Sequence, residues 1–242
     1  MRRIASITPL WNQQIFVGPH FELLQELDYN LVLLQNGVLP SYRDNHGYSM
    51  EPDKSEKILR TYFPKVEIVQ SKYDSSQDFK CELYNEGLRQ TQDYDIVLRL
   101  DPDMIWTKKD FREMIDFMRN TDFDCYRMNF SKDSINYYIT WDYEHGLKDA
   151  AEFDALGVSP KKMFSGIVDY PADNGTIMSF NDGWMCHHFR GWNKPKSTPK
   201  WWYIQPNAQE ALRLYGDKGK WFSCPLKIRE RVEYWRGKIE SL

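Results

Sequence analysis

Two carboxylates one residue apart, Asp101 and Asp103, follow the apolar run Ile96-Val97-Leu98-Arg99-Leu100. Two oxygen donors placed this way suit a hard divalent cation such as Mg²⁺ or Mn²⁺, which takes oxygen ligands and bridges substrate phosphates. A bare Asp-x-Asp arises by chance in many chains. One at the end of a strand weighs more, because the period of two lets both carboxylates approach one ion. The ordinary alternative is a turn whose aspartate caps the helix that follows. Arg99 interrupts the apolar strand: it pairs with these carboxylates or with a phosphate, or it reaches solvent from the strand end.

A second concentration is Cys186-His187-His188-Phe189-Arg190-Gly191-Trp192-Asn193-Lys194-Pro195. His188 can complete a metal shell. Gly191 lets backbone approach a phosphate, and Lys194 offers a point charge to neutralise it. A zinc site from Cys186, His187 and His188 competes, but no second ligand cluster stands at the usual spacing. The four cysteines lie far apart without a CxxC pair, which reads as reduced thiols.

These residues need elements to hold them. Residues 4–8 read as a strand, and 19–27 as a helix with Phe21, Leu24 and Leu27 at helical spacing. Residues 31–34 form a second buried-strand run. Asp53-x-x-Glu56 is a capping box opening a helix to about Tyr62. A strand at 66–69, a helix at 78–92 and a strand at 95–100 follow. This alternation predicts βαβ units and a mostly parallel sheet. Such sheets bind ligands beyond their carboxyl ends, here at 8–12, 35–38, 70–78 and 101–103. Thr107 is expected to cap a helix whose stripe is Phe111, Met114, Ile115 and Met118. Later, 123–130, 135–141 and 177–188 read as strands packed on the same sheet. Residues 207–215 and 226–239 read as helices, the second with Ile228, Val232, Trp235 and Ile239 on one face.

With these residues in place, the chain resembles nucleotide-sugar glycosyltransferases of the GT-A fold. Thr8-Pro9-Leu10-Trp11-Asn12 is similar to the Pro-x-Tyr-Asn opening of the family 2 enzymes. Asn85-Glu86-Gly87-Leu88, followed by residues 95–103, resembles that family's Asn-x-Gly helix and DxD strand. Together these span roughly residues 3–120. His188-x-x-Gly191-x-x-Lys194-Pro195 resembles instead the His-x-x-Gly-x-x-Lys-Pro-Trp motif of the glycogenin-like family 8 transferases. The resemblance implies an α/β, Rossmann-like GT-A fold: a mixed, mostly parallel sheet flanked by helices. It implies one domain over 1–242, with a nucleotide-sugar half to about 105, then an acceptor half and C-terminal helices. By the same resemblance Asp101, Asp103 and His188 bind Mn²⁺ or Mg²⁺, Gly191 and Lys194 hold the donor diphosphate, and Pro9 and Asn12 line the nucleoside pocket. Thr8, Trp11, Asn36, Asn85 and Arg99 join the donor-binding candidates. Two departures matter. Gln35-Asn36-Gly37 stands where family 2 has an acidic residue, so base recognition is expected to differ, and Lys196 replaces the closing Trp of the family 8 motif.

The implied activity is metal-dependent hexosyl transfer from a nucleotide sugar, UDP-sugars first, to an acceptor, glycans first. The cation would stabilise the leaving nucleotide as charge develops. An inverting enzyme also needs a carboxylate base near the acceptor hydroxyl. Asp142, Glu144, Asp169, Asp173 and Asp182 are candidates. Asp182 is preferred because it precedes the strand leading to His188; Asp142 follows an aromatic run, 137–141, that could wall the acceptor. A retaining enzyme needs no such base, and both outcomes stay open. A lipid-linked, protein or nucleic-acid acceptor stays open as well.

Composition bounds these readings. The chain has 242 residues, 41% hydrophobic and 28% charged, with a net charge of -3, which fits a soluble globular protein and excludes a disordered or fibrous one. Residues 1–189 carry 20 basic against 30 acidic side chains, and residues 190–242 carry 12 against 5. The mild total argues against a surface wholly given to nucleic acid, yet the basic end keeps a phage-type DNA-base glycosyltransferase in view. A non-catalytic GT-A-like protein that binds glycan or nucleotide is another class. A nucleotidyltransferase is disfavoured, since residues 8–14 contain no glycine to cradle a triphosphate. Aromatic residues make up 15% with nine Trp, and Trp141, Trp184, Trp192, Trp201 and Trp202 offer stacking faces for sugars. No run nears the ~18 apolar residues of a membrane span. The first residues are too short in apolar run for a secretory signal. A cytoplasmic protein is expected, peripheral to a membrane or in a host cytoplasm if viral.

Overall fold

Strand β1 (Ile4–Leu10) is buried along its whole length, because parallel neighbours flank it and helices cover both its faces. The computed structural model describes residues 1–11, 13–35, 52–72, 80–129, 134–136, 153–158, 177–179, 184, 186–188 and 226–242. After β1 come α1 (Gln14–Leu24), β2 (Tyr29–Leu34), α2 (Ser55–Tyr62), β3 (Glu67–Gln70), α3 (Lys80–Gln90) and β4 (Ile96–Arg99). Then follow β5 (Met104–Ile105), α4 (Lys108–Asn120), β6 (Cys125–Asn129), β7 (Ser134–Asn136), β8 (Phe153–Val158), β9 (Ile177–Ser179), β10 (Cys186–His188) and α5 (Leu226–Glu240). Seven strands form one sheet in the order β3-β2-β1-β4-β8-β6-β9, and β5-β10-β7 form a smaller one. The β3-β2-β1-β4 half is parallel; β8 pairs antiparallel with both β4 and β6.

Alternate residues of the parallel strands feed two cores. Ile4, Leu10, Val32, Ile96 and Leu98 meet Phe16, Phe21 and Leu24 of α1, the Phe111, Met114, Ile115 and Met118 stripe of α4, and Ile228, Val232, Trp235 and Ile239 of α5. On the opposite face Ala5, Ile7, Leu31, Leu33 and Val97 meet Leu83, Tyr84 and Leu88 of α3. Each fully buried Leu, Ile or Phe side chain contributes about 1.5–3 kcal/mol. Gly87 lets α3 lie against β1: a Cβ there would stand 2.7 Å from Ile7 Cδ1. The glycine of the Asn-x-Gly stretch is thus a packing requirement.

Several elements differ from the sequence expectation. Helix α1 begins at Gln14, not at Pro19, which lies inside it. Asp53 explains the early start. Its Oδ2 accepts the Gln14 N–H at 2.9 Å and its Oδ1 accepts the Ser55 N–H at 2.8 Å, so one carboxylate caps α1 and α2 together. The reciprocal half of the expected capping box is replaced, as Glu56 pairs with Arg60 along α2. Thr107 does cap α4, accepting the Asp110 N–H at 3.1 Å. The single strand expected over 177–188 is two, β9 in the large sheet and β10 in the small one. Strand β8, unforeseen, enters between β4 and β6. Of the expected 135–141 strand, β7 covers the start; residues 137–141 and the helix expected at 207–215 lie outside the described residues. Among the described residues, no helix is long and apolar enough to cross a membrane.

Candidate functional site

The carboxyl ends of β1, β2, β3 and β4 open on one edge of the sheet, and the Asp101-Pro102-Asp103 segment stands there. β1 and β4 stay paired through Ile7 and Arg99, with a last backbone bond from the Leu100 N–H to the Ile7 carbonyl at 3.1 Å. The chain then turns: the Met104 N–H closes on the Asp101 carbonyl at 3.0 Å. Pro102 presets the backbone for such a turn. Asp101 is half-buried, and Asp103 is only 8% exposed. A carboxylate held that far from water needs a cation or hydrogen-bond donors beside it.

Two helices hold this turn, and a third holds the chain just beyond it. From α3, the Tyr84 hydroxyl donates to Asp101 Oδ1 at 2.7 Å, and the Arg99 guanidinium lies 5.2 Å over the Tyr84 ring. Arg99 is 5% exposed, so the solvent-reaching alternative for it is replaced by a buried cation stacked on an aromatic face. From α5, Arg231 donates to the Trp106 carbonyl at 3.1 Å. From α1, His20 lies 3.2 Å from the Met104 carbonyl through Nδ1 and 3.4 Å from Thr8 Oγ1 through Nε2. A carbonyl only accepts, so Nδ1 carries the proton and the Thr8 hydroxyl donates to Nε2. Across the turn, β10 pairs antiparallel with β5 and sets His188 opposite Met104, one residue from Asp103.

Burial holds the His20 ring at a pKa of about 4, below the ordinary 6.5, although the Met104 carbonyl and Asp101 act in the opposite direction. The unfolded chain therefore takes up this proton first as pH falls. The neutral ring's contribution is complete above pH 6.5 and drains away as pH drops through 4. Over that window the loss approaches about 3 kcal/mol. Urea unfolding at about pH 7.5 and about pH 4.5 reads this loss, and His20→Asn, which does not titrate there, should remove that share.

A cavity of about 640 Å³ opens at the same sheet edge, lined by Trp11 after β1, Leu34 and Gln35 at the end of β2, Gln70 of β3, and Asp53, Lys57 and Arg60 around α2. Trp11 Nε1 and Gln35 Oε1 are buried without a hydrogen-bond partner among the described residues. A donor and an acceptor are thus left uncompensated beside one cavity, and each such group costs about 1–3 kcal/mol until paired.

The sequence candidates sort unevenly over this geometry. Asp101, Asp103 and Arg99 cluster at the turn, and Trp11 lines the cavity. Thr8 and Pro9 are buried within β1, Thr8 turned to His20 rather than to the cavity. Asn85 is half-buried on α3, one residue from Tyr84. His188 is described in its backbone alone. Asn12, Asn36, Asp142, Asp182, Gly191 and Lys194 lie outside the described residues. Among the described residues no three His, Cys, Asp or Glu side chains form a group able to hold an ion. Sequence reasoning missed His20 and Tyr84; Gln35 lay within the expected 35–38 ligand edge, although Asn36 was the donor-binding candidate there.

The parallel half-sheet with helices on both faces is a Rossmann-like α/β fold of the GT-A type. The chain is similar to S. aureus TarS, residues 1–349, with a TM-score of 0.50 and 13% identity, over 77% of this chain and 60% of that one. The same TarS fragment in complex with UDP-GlcNAc gives 0.49 and 13%, over 88% and 65%. Glucosyl-3-phosphoglycerate synthase from Mycobacterium tuberculosis, in complex with Mn²⁺, UDP and phosphoglyceric acid, gives 0.40 and 13%, over 66% and 56%. At such identities the likeness is one of fold, and the chain spans about 60% of the TarS fragment's length. No protein-family model matches the sequence, and no curated protein matches it.

Proposed function

We propose that the protein is a metal-dependent glycosyltransferase that moves a sugar, a hexose first, from a nucleotide-sugar donor, UDP-sugars first, to a glycan acceptor. The observation that carries this reading is the gripped Asp101–Met104 turn at the carboxyl edge of β4, beside the cavity at the ends of β1, β2 and β3. The donor set fits a hard divalent cation: two carboxylates, one buried, with His188 at a backbone position next to them. Asp101, Asp103 and His188 would hold Mn²⁺ or Mg²⁺. Such an ion, when bound, supplies charge stabilisation to a departing diphosphate. Gly191 and Lys194 would bind the same diphosphate. Tyr84 orients Asp101 through one hydrogen bond. Trp11 and Gln35 would face the nucleoside together with Asn12 and Asn36; the TarS fragment, which shares the fold, has itself been solved with UDP-GlcNAc. If the reaction inverts, Asp182 or Asp142 takes the acceptor proton.

Titration calorimetry with a panel of nucleotide sugars, with and without Mn²⁺, tests this reading. Donor binding is expected to depend on the ion and to prefer one nucleobase; absence of Mn²⁺-dependent binding to every donor would overturn it. Trp11→Phe keeps a ring in the cavity and deletes the indole N–H. It should weaken nucleotide binding about tenfold to a hundredfold, the value of one buried hydrogen bond, with little change in Mn²⁺ affinity. Unchanged nucleotide affinity would remove Trp11 from the pocket.

A further inference from the structure

The Asp101–Met104 turn begins where the sheet stops holding the chain. β1 and β4 part after Ile7 and Arg99, so the carboxylates gain no further support from the strand ladder. Tyr84 secures the Asp101 side chain from the α3 face. The opposite face, toward α1, offers His20. It is 1% exposed, sits mid-helix, and its two ring nitrogens reach two different strands: Thr8 near the end of β1 at 3.4 Å, and the Met104 carbonyl at the start of β5 at 3.2 Å. Met104 is the residue next to Asp103, it closes the turn through its own N–H, and it faces His188 across the β5–β10 pair. A side chain that fixes Met104 therefore fixes both the outgoing end of the carboxylate pair and the register of the strand bearing His188.

Resting on the metal reading above, we infer that His20 is a positioning residue for the metal site, tying β1 to the residue after Asp103 through a neutral, two-armed hydrogen-bond bridge. Only a planar side chain with a donor on one edge and an acceptor on the other spans these partners at this depth. The Nδ1 donor matters more, because it acts directly on the peptide next to Asp103. The low pKa set by burial keeps the ring in the one-proton form that such a bridge uses. His20 touches neither ion nor substrate. Its effect falls on metal affinity, and a partner behind the ligands of a metal site is worth about tenfold to a hundredfold in that affinity.

The test is Mn²⁺ calorimetry on the full chain, with urea unfolding measured in parallel. His20→Leu fills the site and loses both arms; it should bind Mn²⁺ at least about tenfold more weakly. His20→Asn places an amide N–H where Nδ1 stood and should recover affinity to within about threefold of wild type, whatever its stability. Thr8→Val, which removes the far arm alone, should stay within about threefold of wild type, as the Asn variant does, and His20→Phe, a planar ring without either arm, takes the place of His20→Leu if that variant does not fold. Equal Mn²⁺ affinity in wild type and His20→Leu, or in wild type and His20→Phe when Leu cannot be measured, or an Asn variant as weak as the Leu variant, each overturns this role for His20 while leaving the metal reading intact. A wild-type chain that binds no Mn²⁺ overturns the metal reading and this inference together.

Discussion

Asp103→Asn is expected to lower Mn²⁺-dependent turnover or slow hydrolysis of a nucleotide-sugar donor by a factor of about 10²–10⁴, which is about 3–5 kcal/mol of lost transition-state stabilisation. The amide keeps the shape of the side chain and deletes its charge. At a residue 8% exposed, that charge acts through a medium that screens poorly, so its loss is felt fully by a bound cation. Asp101→Asn should behave alike in turnover while keeping the Tyr84 contact, because the amide oxygen still accepts the phenol proton. Urea unfolding of both variants without metal separates this loss from any change in stability that the buried charge itself brings. Calorimetric Mn²⁺ titration of each variant makes the check independent of the donor. An Asp103→Asn protein that still responds to Mn²⁺ at the wild-type concentration would remove the turn from the reaction.

That turn was legible in the sequence because its ingredients are local. Ile96 to Leu100 is an apolar run broken only by Arg99, as expected for a strand covered on both faces, and a proline between two aspartates marks where it ends. The α4 stripe and the Thr107 cap were legible for the same reason. What stayed hidden depends on distant partners. Helix α1 starts five residues before the expected point because the capping carboxylate, Asp53, comes from 39 positions away. Strand β8 contains Gly157 and no clean alternation, so only its neighbours β4 and β6 make it a strand.

The site divides along the same line. Side-chain chemistry announced Asp101, Asp103 and Arg99. His20 sits in a run of buried helix residues, where a histidine reads as core, and its decisive partner is a backbone carbonyl 84 residues away. Backbone acceptors leave no mark in a sequence. Tyr84 reads as an apolar helix position and is one, since its ring is buried; only the fold shows that its hydroxyl meets Asp101. Gln35 stood within the expected ligand edge, but that its amide oxygen is buried without a partner among the described residues is visible only in the fold.

Gly18→Ala should destabilise the protein by about 2 kcal/mol, against the rule that alanine improves a helix interior by about 1 kcal/mol over glycine. The reason is Trp235. A Cβ on Gly18 would lie well inside 3.0 Å of three atoms of that indole. The ring has little room to yield: Phe63 stands 5.2 Å and Tyr62 5.4 Å from it, Lys238 lies 5.1 Å over its face, and its N–H donates to Glu22 at 2.9 Å. Helix α5 must lift from α1 instead. In a Trp235→Ala background all three of those atoms are gone, and the sign of the same substitution should reverse toward the ordinary gain of about 1 kcal/mol. Urea midpoints of the two single variants and the double variant read this coupling directly. A Gly18→Ala protein more stable than wild type would show that the indole gives way after all.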